Sequence, residues 1–462
     1  MNDARKGNEL QDPASSEEAA QETIQVILQK IIIAHQQSLT LLQQTETAYG
    51  RLIPRQLLTL LDRSSIVDVK LGDQIERKLT VMFSDIRNFT PLSESMTPSE
   101  NFSFINSYLG VMEPVIDSYR GIIDKYMGDA IMGLFTNSAD DAVAGSIAML
   151  KKLDHYNSGR ARAGYESIQI GIGLNTGMVI IGTVGGANRM DSTVIGDTVN
   201  VTSRIEEATK TYGVPLLISQ STLYDLADPS KYDIRFLDRI RVKGRTQPFS
   251  LYEVFDNNPV NLRNAKRVSK SKFEEAIAFY HMQEIHVAIE LLDECLKIAP
   301  DDIPAQTYLA RCNDYLSTGH HVSTGELDTN LEWRDEYLIG IEEIDKQNKK
   351  LHDYANTFIS SIKADNGEAL HNLLVSLEDH AHTCFKIEEN LMQRSGYSFM
   401  DSHQQEHKRF VENFMMLKAE ANITKSDLRY LIFRTRILLL DWFAGHISKT
   451  DRHMGRHLIQ AM

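Results

Sequence analysis

Cysteine is scarce. Cys295, Cys312 and Cys384 are the only three in 462 residues. Their odd number and wide spacing exclude a disulfide framework and fit a reducing compartment. Long apolar runs are missing too. None approaches the ~20 residues that cross a bilayer, and the polar start MNDARKGNEL is no secretory signal. The expectation is a cytoplasmic protein that engages no membrane. Positive charge is in deficit: 63 acidic against 49 basic residues leave a net charge of −14. That argues against a general nucleic-acid surface.

Length and pattern are what the chain offers. It is long enough for roughly two to four domains, and composition divides it. Residues 1–17, polar with Pro13 and Ser/Glu clusters, read as disordered. Residues 18–50 read as a helix, almost free of Pro and Gly. There Leu28, Ile32, His35, Leu39, Leu42, Glu46 and Tyr49 follow alternating steps of four and three. This seam suits a short parallel coiled coil acting as an N-terminal signalling helix, and equally an amphipathic helix packed on its own domain. Residues 51–257 read as α+β: a short helix and loop, then strand, two helices, hairpin, helix, strand, hairpin, helix and terminal strands. Residues 262–322 and 327–462 read as helical, with polar linkers expected over 257–272 and 317–325.

The densest chemistry lies at 79–90, LTVMFSDIRNFT. Leu79, Val81 and Phe83 alternate as a buried strand ending at Asp85. A carboxylate at a strand end, beside turn amides left free, suits a cation-held polyphosphate. Residues 120–135 read as two strands joined at Met127-Gly128-Asp129, and a second Asp there lets two divalent ions share one triphosphate. Residues 167–184 alternate on either side of an expected Thr176-Gly177 turn, and Asp197 is placed to cap the next helix. Asn200 and Arg204, four apart, share a face of that helix.

FSDIRNFT and KYMGDAIMGLF together resemble the catalytic domain of the class III nucleotidyl cyclases, with Asn88 where glycine is common. The resemblance covers about residues 50–257. It implies a ferredoxin-like core and two Mg²⁺ or Mn²⁺ ions held by Asp85, Asp129 and the Ile86 backbone. It assigns Ile86, Phe89 and Thr90 to substrate binding, Asn200 to the ribose region, Arg204 to the α-phosphate and Lys243 to the terminal phosphates. Lys125 and Thr193 fall at the base-reading positions. Lysine can only donate, so it suits adenine N1 and opposes guanine N1–H, while the threonine hydroxyl can accept from N6. The family's geometry divides these residues between two subunits, Asp85 and Asp129 on one, the rest on the other. An adenylyl cyclase homodimer making cyclic AMP from ATP is therefore implied.

Residues 273–316 read as helix, turn, helix and a further helix after Pro300. They resemble about one and a half tetratricopeptide repeats, through Ala276, Tyr280, Ala288 and Pro300, and are expected to act as a rigid spacer. The last region, with breaks near 365–367, 396 and 421–422, reads as an antiparallel four-helix bundle. Its EWRDEYLIGIEEIDKQNKKL, CFKIEENLM, HQQEH and HISKTD resemble hemerythrin-like domains. That implies iron at Glu388, His403, His407, His446 and Asp451. Asn348 and Cys384 stand where the family has two further histidines, so a standard di-iron centre is not expected. His352 and His380, each one turn (about 5.4 Å) from those positions and displaced the same way, are alternative ligands for a second metal, with help from the Cys384 thiolate. The stimulus would be oxygen, nitric oxide, redox state or iron supply. The competing readings are a metal-binding scaffold with a silent cyclase fold, and a constitutive cyclase whose tail only aids assembly.

Overall fold

The computed structural model describes residues 13–49, 55–63, 65–186, 189–240, 248–319, 332–361, 367–422 and 428–461. The chain divides into two units, residues 1–70 and 71–462. Among the described residues no helix is long and apolar enough to cross a membrane.

In the first unit, α1 (Pro13–Tyr49) is one helix of 37 residues, followed by α2 (Arg55–Leu60). The helix begins inside the stretch expected to be disordered. Proline suits a first helical position, where its missing N–H costs nothing. The apolar side chains of α1 are exposed well beyond the anticipated seam: Ile24, Ile27, Ile31, Ile33 and Leu41 as well as Leu28, Ile32, Leu39 and Leu42.

The second unit is built on an eight-stranded sheet, β2-β3-β1-β4-β6-β8-β7, with β5 paired to β4. Inside it lies β1 (Gln74–Ile86), flanked antiparallel by β3 (Ala130–Phe135) and by the middle strand β4 (Ile170–Gly186). Between β1 and β2 (Gly121–Met127) lie α3 (Phe89–Glu94) and α4 (Pro98–Ser118). A reciprocal Thr97–Glu100 capping box opens α4. With α5 (Ala139–Arg162), α4 covers one face of the sheet, burying Tyr108, Met112, Ile116, Val143 and Leu150 against Met82, Ile86 and Ile172.

β4 corrects the sequence reading. It runs unbroken through Thr176 and Gly177, pairing β1 from Gln74↔Gly182 to Ile86↔Ile170. The glycine serves close packing, not a turn. A Cβ on Gly177 would sit 2.7 Å from Thr198 Oγ1, and one on Gly173 would sit 2.4 Å from the Glu206 amide. Both belong to α6 (Asp197–Tyr212), which lies directly on β4. The chain reverses after Gly186 and returns as β5 (Arg189–Ile195). Asp197 is also not the cap: Gly196 occupies that position, and Asp197 is the first helical residue.

β6 (Leu216–Ser219), α7 (Gln220–Asp225), β7 (Ile234–Ile240) and β8 (Phe249–Val254) complete the sheet, with β4–β6 its parallel pairing. No linker follows. Pro259 leads straight into α8 (Val260–His281), so most of the stretch expected to be a polar boundary is helix. Three of its basic residues are spent on acids of the sheet domain: Arg263 and Arg267 on Asp233, and Lys266 on Glu253. Helices α8, α9 (Ile285–Ile298) and α10 (Ile303–Thr318) share one core with α6, β7 and β8, where Phe273, Tyr280, Leu292 and Tyr308 meet Ile205, Tyr212 and Leu237.

The C-terminal region is helical: α11 (Glu342–Ser361), α12 (Gly367–Ser395), α13 (Met400–Asn422) and α14 (Leu428–Asp441). The last continues through a π-helical stretch, Trp442–Asp451, into α15 (Arg452–Ala461). Most of the second expected linker, 320–325, lies outside the described residues.

Candidate active site and metal centre

The β1–β3 ladder ends at Ser84↔Ile131, so Asp85 and Ile86 project just past it, level with the β2–β3 turn. Gly128 makes that turn at φ +69°, and Asp129 follows it. The Ile86 amide donates to Asp129 Oδ2 at 3.2 Å. Burial, and then contact with Asp85, push the Asp129 carboxyl up to about 7. Asn88 sits in the left-handed region (φ +54°, ψ +34°), which asparagine tolerates better than most residues. The loop is pinned from beneath by Arg87, whose Nη2 donates to the carbonyls of Thr209 (2.9 Å) and Val214 (2.6 Å).

Lys125 and Thr193, 68 residues apart, come together: Lys125 Nζ donates to Thr193 Oγ1 at 3.2 Å. Asp124 lies 3.2 Å from the same ammonium. Asn200 and Arg204 stand on the exposed face of α6, Arg204 paired with Glu207 at 2.8 Å. Among the described residues no hydrogen bond or ion pair joins Asp85 or Asp129 to Lys125, Thr193, Asn200 or Arg204. Lys243 lies outside the described residues. Phe89 and Thr90 open α3 directly after the Asp85 turn.

Sequence reasoning missed Lys210. Its Nζ is 3.0 Å from Asp85 Oδ2 and 3.8 Å from Glu206 Oε1. The Glu206/Lys210 spacing of four marks a helix face, but only the packing of α6 on β4 brings that face to the end of β1.

Residues 72–254 match the family described as adenylate and guanylate cyclase catalytic domain. This segment is a class III cyclase catalytic domain. The chain is 39% identical over 256 residues to an adenylate cyclase of Anabaena cylindrica, covering 54% of this chain and 51% of that one. It is 35% identical over 286 residues to the terminal-differentiation specific adenylate cyclase of Dictyostelium discoideum, covering 60% of this chain and 13% of that one. The crystal structure of the adenylyl cyclase CyaB from P. aeruginosa is 35% identical, with a TM-score of 0.36 over 40% of this chain and 96% of that one. The chain thus spans about half the length of the first relative and less of the second.

Beyond the cyclase domain, Glu388 of α12, His403 and His407 of α13, and His446 and Asp451 of the π stretch gather their ligand atoms within 4.8 Å of one another, all buried. The π stretch explains how the last two meet. Five residues along an α-helix leave two side chains about 140° apart; an i→i+5 hydrogen-bond pattern brings them onto one side. His446 Nε2 then lies 2.9 Å from Asp451 Oδ1, and His407 Nε2 lies 3.0 Å from Glu388 Oε2. His403 Nε2, Glu388 Oε2 and both Asp451 oxygens nevertheless make no hydrogen bond. Buried polar atoms converging without hydrogen bonds form a donor set suited to a cation. Outer carboxylates hold two of the rings: Glu389 faces His407 Nδ1 at 3.0 Å and Glu406 faces His446 Nδ1 at 2.8 Å. Trp442 stacks on His446 at 3.8 Å and Phe385 on His407 at 3.9 Å.

Among the described residues His352, His380 and Cys384 are not gathered into a ligand group. His380 Nε2 is occupied by the Gln347 carbonyl at 3.1 Å, and His352 lies edge-on between Trp333 and Phe443. Cys384 is buried, and that burial, with Glu388 and Asp451 nearby, pushes its thiol up, away from the thiolate a metal would need. None of the three joins the five-residue group among the described residues. Asn348 is buried with its Nδ2 unpartnered.

Proposed function

We propose that the chain is an adenylate cyclase, converting ATP to 3′,5′-cyclic AMP and pyrophosphate at sites shared between two copies. The observation that carries this reading is the pairing of Lys125 with Thr193, a donor and an acceptor set for adenine. Two abutting carboxylates, one pushed up to about 7, with the Lys210 ammonium beside Asp85, form an oxygen donor set that fits divalent cations. Asp85, Asp129 and the Ile86 backbone would hold them. Mg²⁺ or Mn²⁺ there supplies Lewis acidity toward the 3′-hydroxyl and the phosphates.

The chain's own residues do the rest. Lys125 and Thr193 select the base, amides of the Ile86–Thr90 turn meet phosphate oxygens, and Asn200 orients the ribose. Arg204 neutralises charge growing on the α-phosphate, and Lys243 holds the terminal phosphates. The 3′-oxygen bonds to the α-phosphorus, the α–β bridging bond breaks, pyrophosphate leaves and the hydroxyl proton passes to solvent. Because no hydrogen bond or ion pair joins the two residue sets among the described residues, a second copy is taken to complete each site. The apolar side chains exposed along α1 favour such self-association.

Helices α8–α10 are read as a tetratricopeptide-like unit acting as a rigid mount. The C-terminal region is read as a hemerythrin-like domain that holds one metal ion, iron, at the five gathered ligands and tunes the cyclase in response to oxygen, nitric oxide, redox state or iron supply. A single ion follows from the chemistry at Asn348, Cys384, His352 and His380.

Cyclic AMP released from ATP by purified full-length protein with Mn²⁺ tests the reading; no pyrophosphate release would end it. Lys125→Glu is expected to shift the ATP/GTP ratio of kcat/KM toward GTP on the order of 10²-fold, since the replacement accepts from guanine N1–H and faces adenine N1 with a second acceptor. An unchanged ratio would remove Lys125 from base selection. A pH dependence follows from Asp129. A carboxyl raised to about 7 keeps its proton below that pH, so a cation must displace it there. Half-saturating Mn²⁺ is expected to rise up to about tenfold per unit as pH falls below about 7, and to level off above it. Activity titrations at fixed ATP check this.

A further inference from the structure

The metal centre and the catalytic sheet share a carboxylate. Glu406 Oε2 faces His446 Nδ1 at 2.8 Å and accepts from Thr450 Oγ1 at 2.9 Å. Glu406 Oε1 accepts from Lys78 Nζ at 3.0 Å. Lys78 belongs to β1, seven residues before Asp85, and spends its other two N–H donors on Ser402 Oγ (2.7 Å) and Asp225 (2.9 Å). Both partners are mostly covered, at 18% and 19% side-chain exposure, so this pair is shielded from the solvent that weakens surface pairs. A second tether, Lys449 to Asp197 at the start of α6, is exposed at 44% and 52%, and such pairs contribute about 0–1 kcal/mol. Asp441 of α14 also meets Arg239 and Ser250 of the sheet in a buried contact, but among the described residues Glu406 is the carboxylate that touches both a histidine of the gathered cluster and the sheet.

An ion held at His446 Nε2 requires the tautomer with its proton on Nδ1, where Glu406 accepts it. The same carboxylate cannot move to serve the imidazole without moving its grip on Lys78. A cavity of about 480 Å³ lies alongside, lined by Lys78, Thr176, Glu406, His403 and His446, and leaves these side chains room to shift. We propose that Glu406 is a positioning residue shared by the two sites, orienting His446 for a bound metal ion while holding Lys78 of β1, so that metal binding and nucleotide cyclisation are linked. This rests on the metal-regulated reading above. Linkage is reciprocal, so a change at Lys78 must also be felt at the metal.

The test uses the full-length chain and anaerobic Fe²⁺ titration with metal analysis, alongside cyclase rates. Glu406→Gln is expected to weaken Fe²⁺ binding 10–100-fold. Lys78→Met touches no ligand, yet is expected to change Fe²⁺ affinity about fivefold or more. Both should lose the change in cyclase rate that Fe²⁺ produces in the unaltered chain. Glu389→Gln is the control: it weakens Fe²⁺ binding through His407 but keeps the rate response at saturating Fe²⁺. Wild-type Fe²⁺ affinity in Glu406→Gln, or wild-type affinity and response in Lys78→Met, overturns the proposal. If the unaltered chain binds Fe²⁺ without any rate change, the regulatory reading fails. A shifted affinity in Lys78→Met would then show that Glu406 couples β1 to the metal cluster, while the link to cyclisation would fall with that reading.

Discussion

Asp85→Ala and Arg204→Ala chains, each purified alone, are expected to be nearly silent, and to regain activity when combined. Loss of Asp85 removes a cation ligand worth several kcal/mol, on the order of 10³-fold in rate at about 1.4 kcal/mol per decade. Loss of Arg204 removes charge stabilisation worth about 10²–10³-fold. If each site takes Asp85 from one copy and Arg204 from the other, a mixed dimer has one site with both defects and one with neither. Random pairing makes about half the dimers mixed, so recovery should approach about a quarter of the wild-type rate. Differently tagged chains, co-expressed and purified through both tags, supply the mixed dimer directly. A silent doubly tagged species would mean that each chain builds its own site, and the shared-site account would fall.

The parts of this site that the sequence made legible are those fixed by short-range pattern. Asp85 ends an alternating run, and Asp129 follows a Met-Gly turn. Local spacing therefore placed both at strand ends, where the structure has them. Of the five gathered C-terminal side chains, His403 and His407 were legible for a similar reason, being one helical turn apart, and His446 and Asp451 share the contiguous HISKTD, whereas the full set came with the resemblance. The π stretch that brings His446 and Asp451 together left no signal, because its composition is that of any amphipathic helix.

Glycine and charge misled because each has two uses. Gly177 reads as a turn in a one-dimensional pattern, whereas the structure needs it so that α6 can lie on β4. Polar NNPVNLRNAKRVSKSK reads as a solvated linker, yet Arg263, Lys266 and Arg267 neutralise Asp233, just before β7, and Glu253 of β8. No sequence-local rule pairs Lys266 with Glu253 or Lys78 with Glu406, 328 residues away. His352 and His380 stay apart from the five-residue group for a related reason. One-turn offsets place His352 and His380 at matching heights, but say nothing of the carbonyl and the aromatic rings that already engage them.

The buried cluster around Arg235 shows how much of the catalytic domain's stability lies beyond its own last strand. Arg235 of β7 grips Asp302, at the start of α10, through both Nη atoms at 2.7 Å, and Glu253 of β8 through Nε at 2.6 Å. Lys266 of α8 reaches the other Glu253 oxygen at 2.6 Å, and Phe273 lies 4.0 Å beneath the guanidinium. All three members of the central triad are 0% exposed. Arg235→Met therefore leaves two buried carboxylates facing one ammonium, and is expected to cost about 3–5 kcal/mol in denaturant unfolding. Arg235→Met with Glu253→Gln and Asp302→Asn removes the stranded charge, and should recover much of that loss. A single variant within about 1 kcal/mol of wild type would mean the cluster is solvated. The same reasoning forbids cutting the cyclase domain free after residue 257, because α6, β7 and β8 would lose the aromatic wall of Phe273, Tyr280 and Tyr308 together with Lys266 and Asp302. Chains ending at 257 are expected to aggregate, whereas chains ending after α10 should fold.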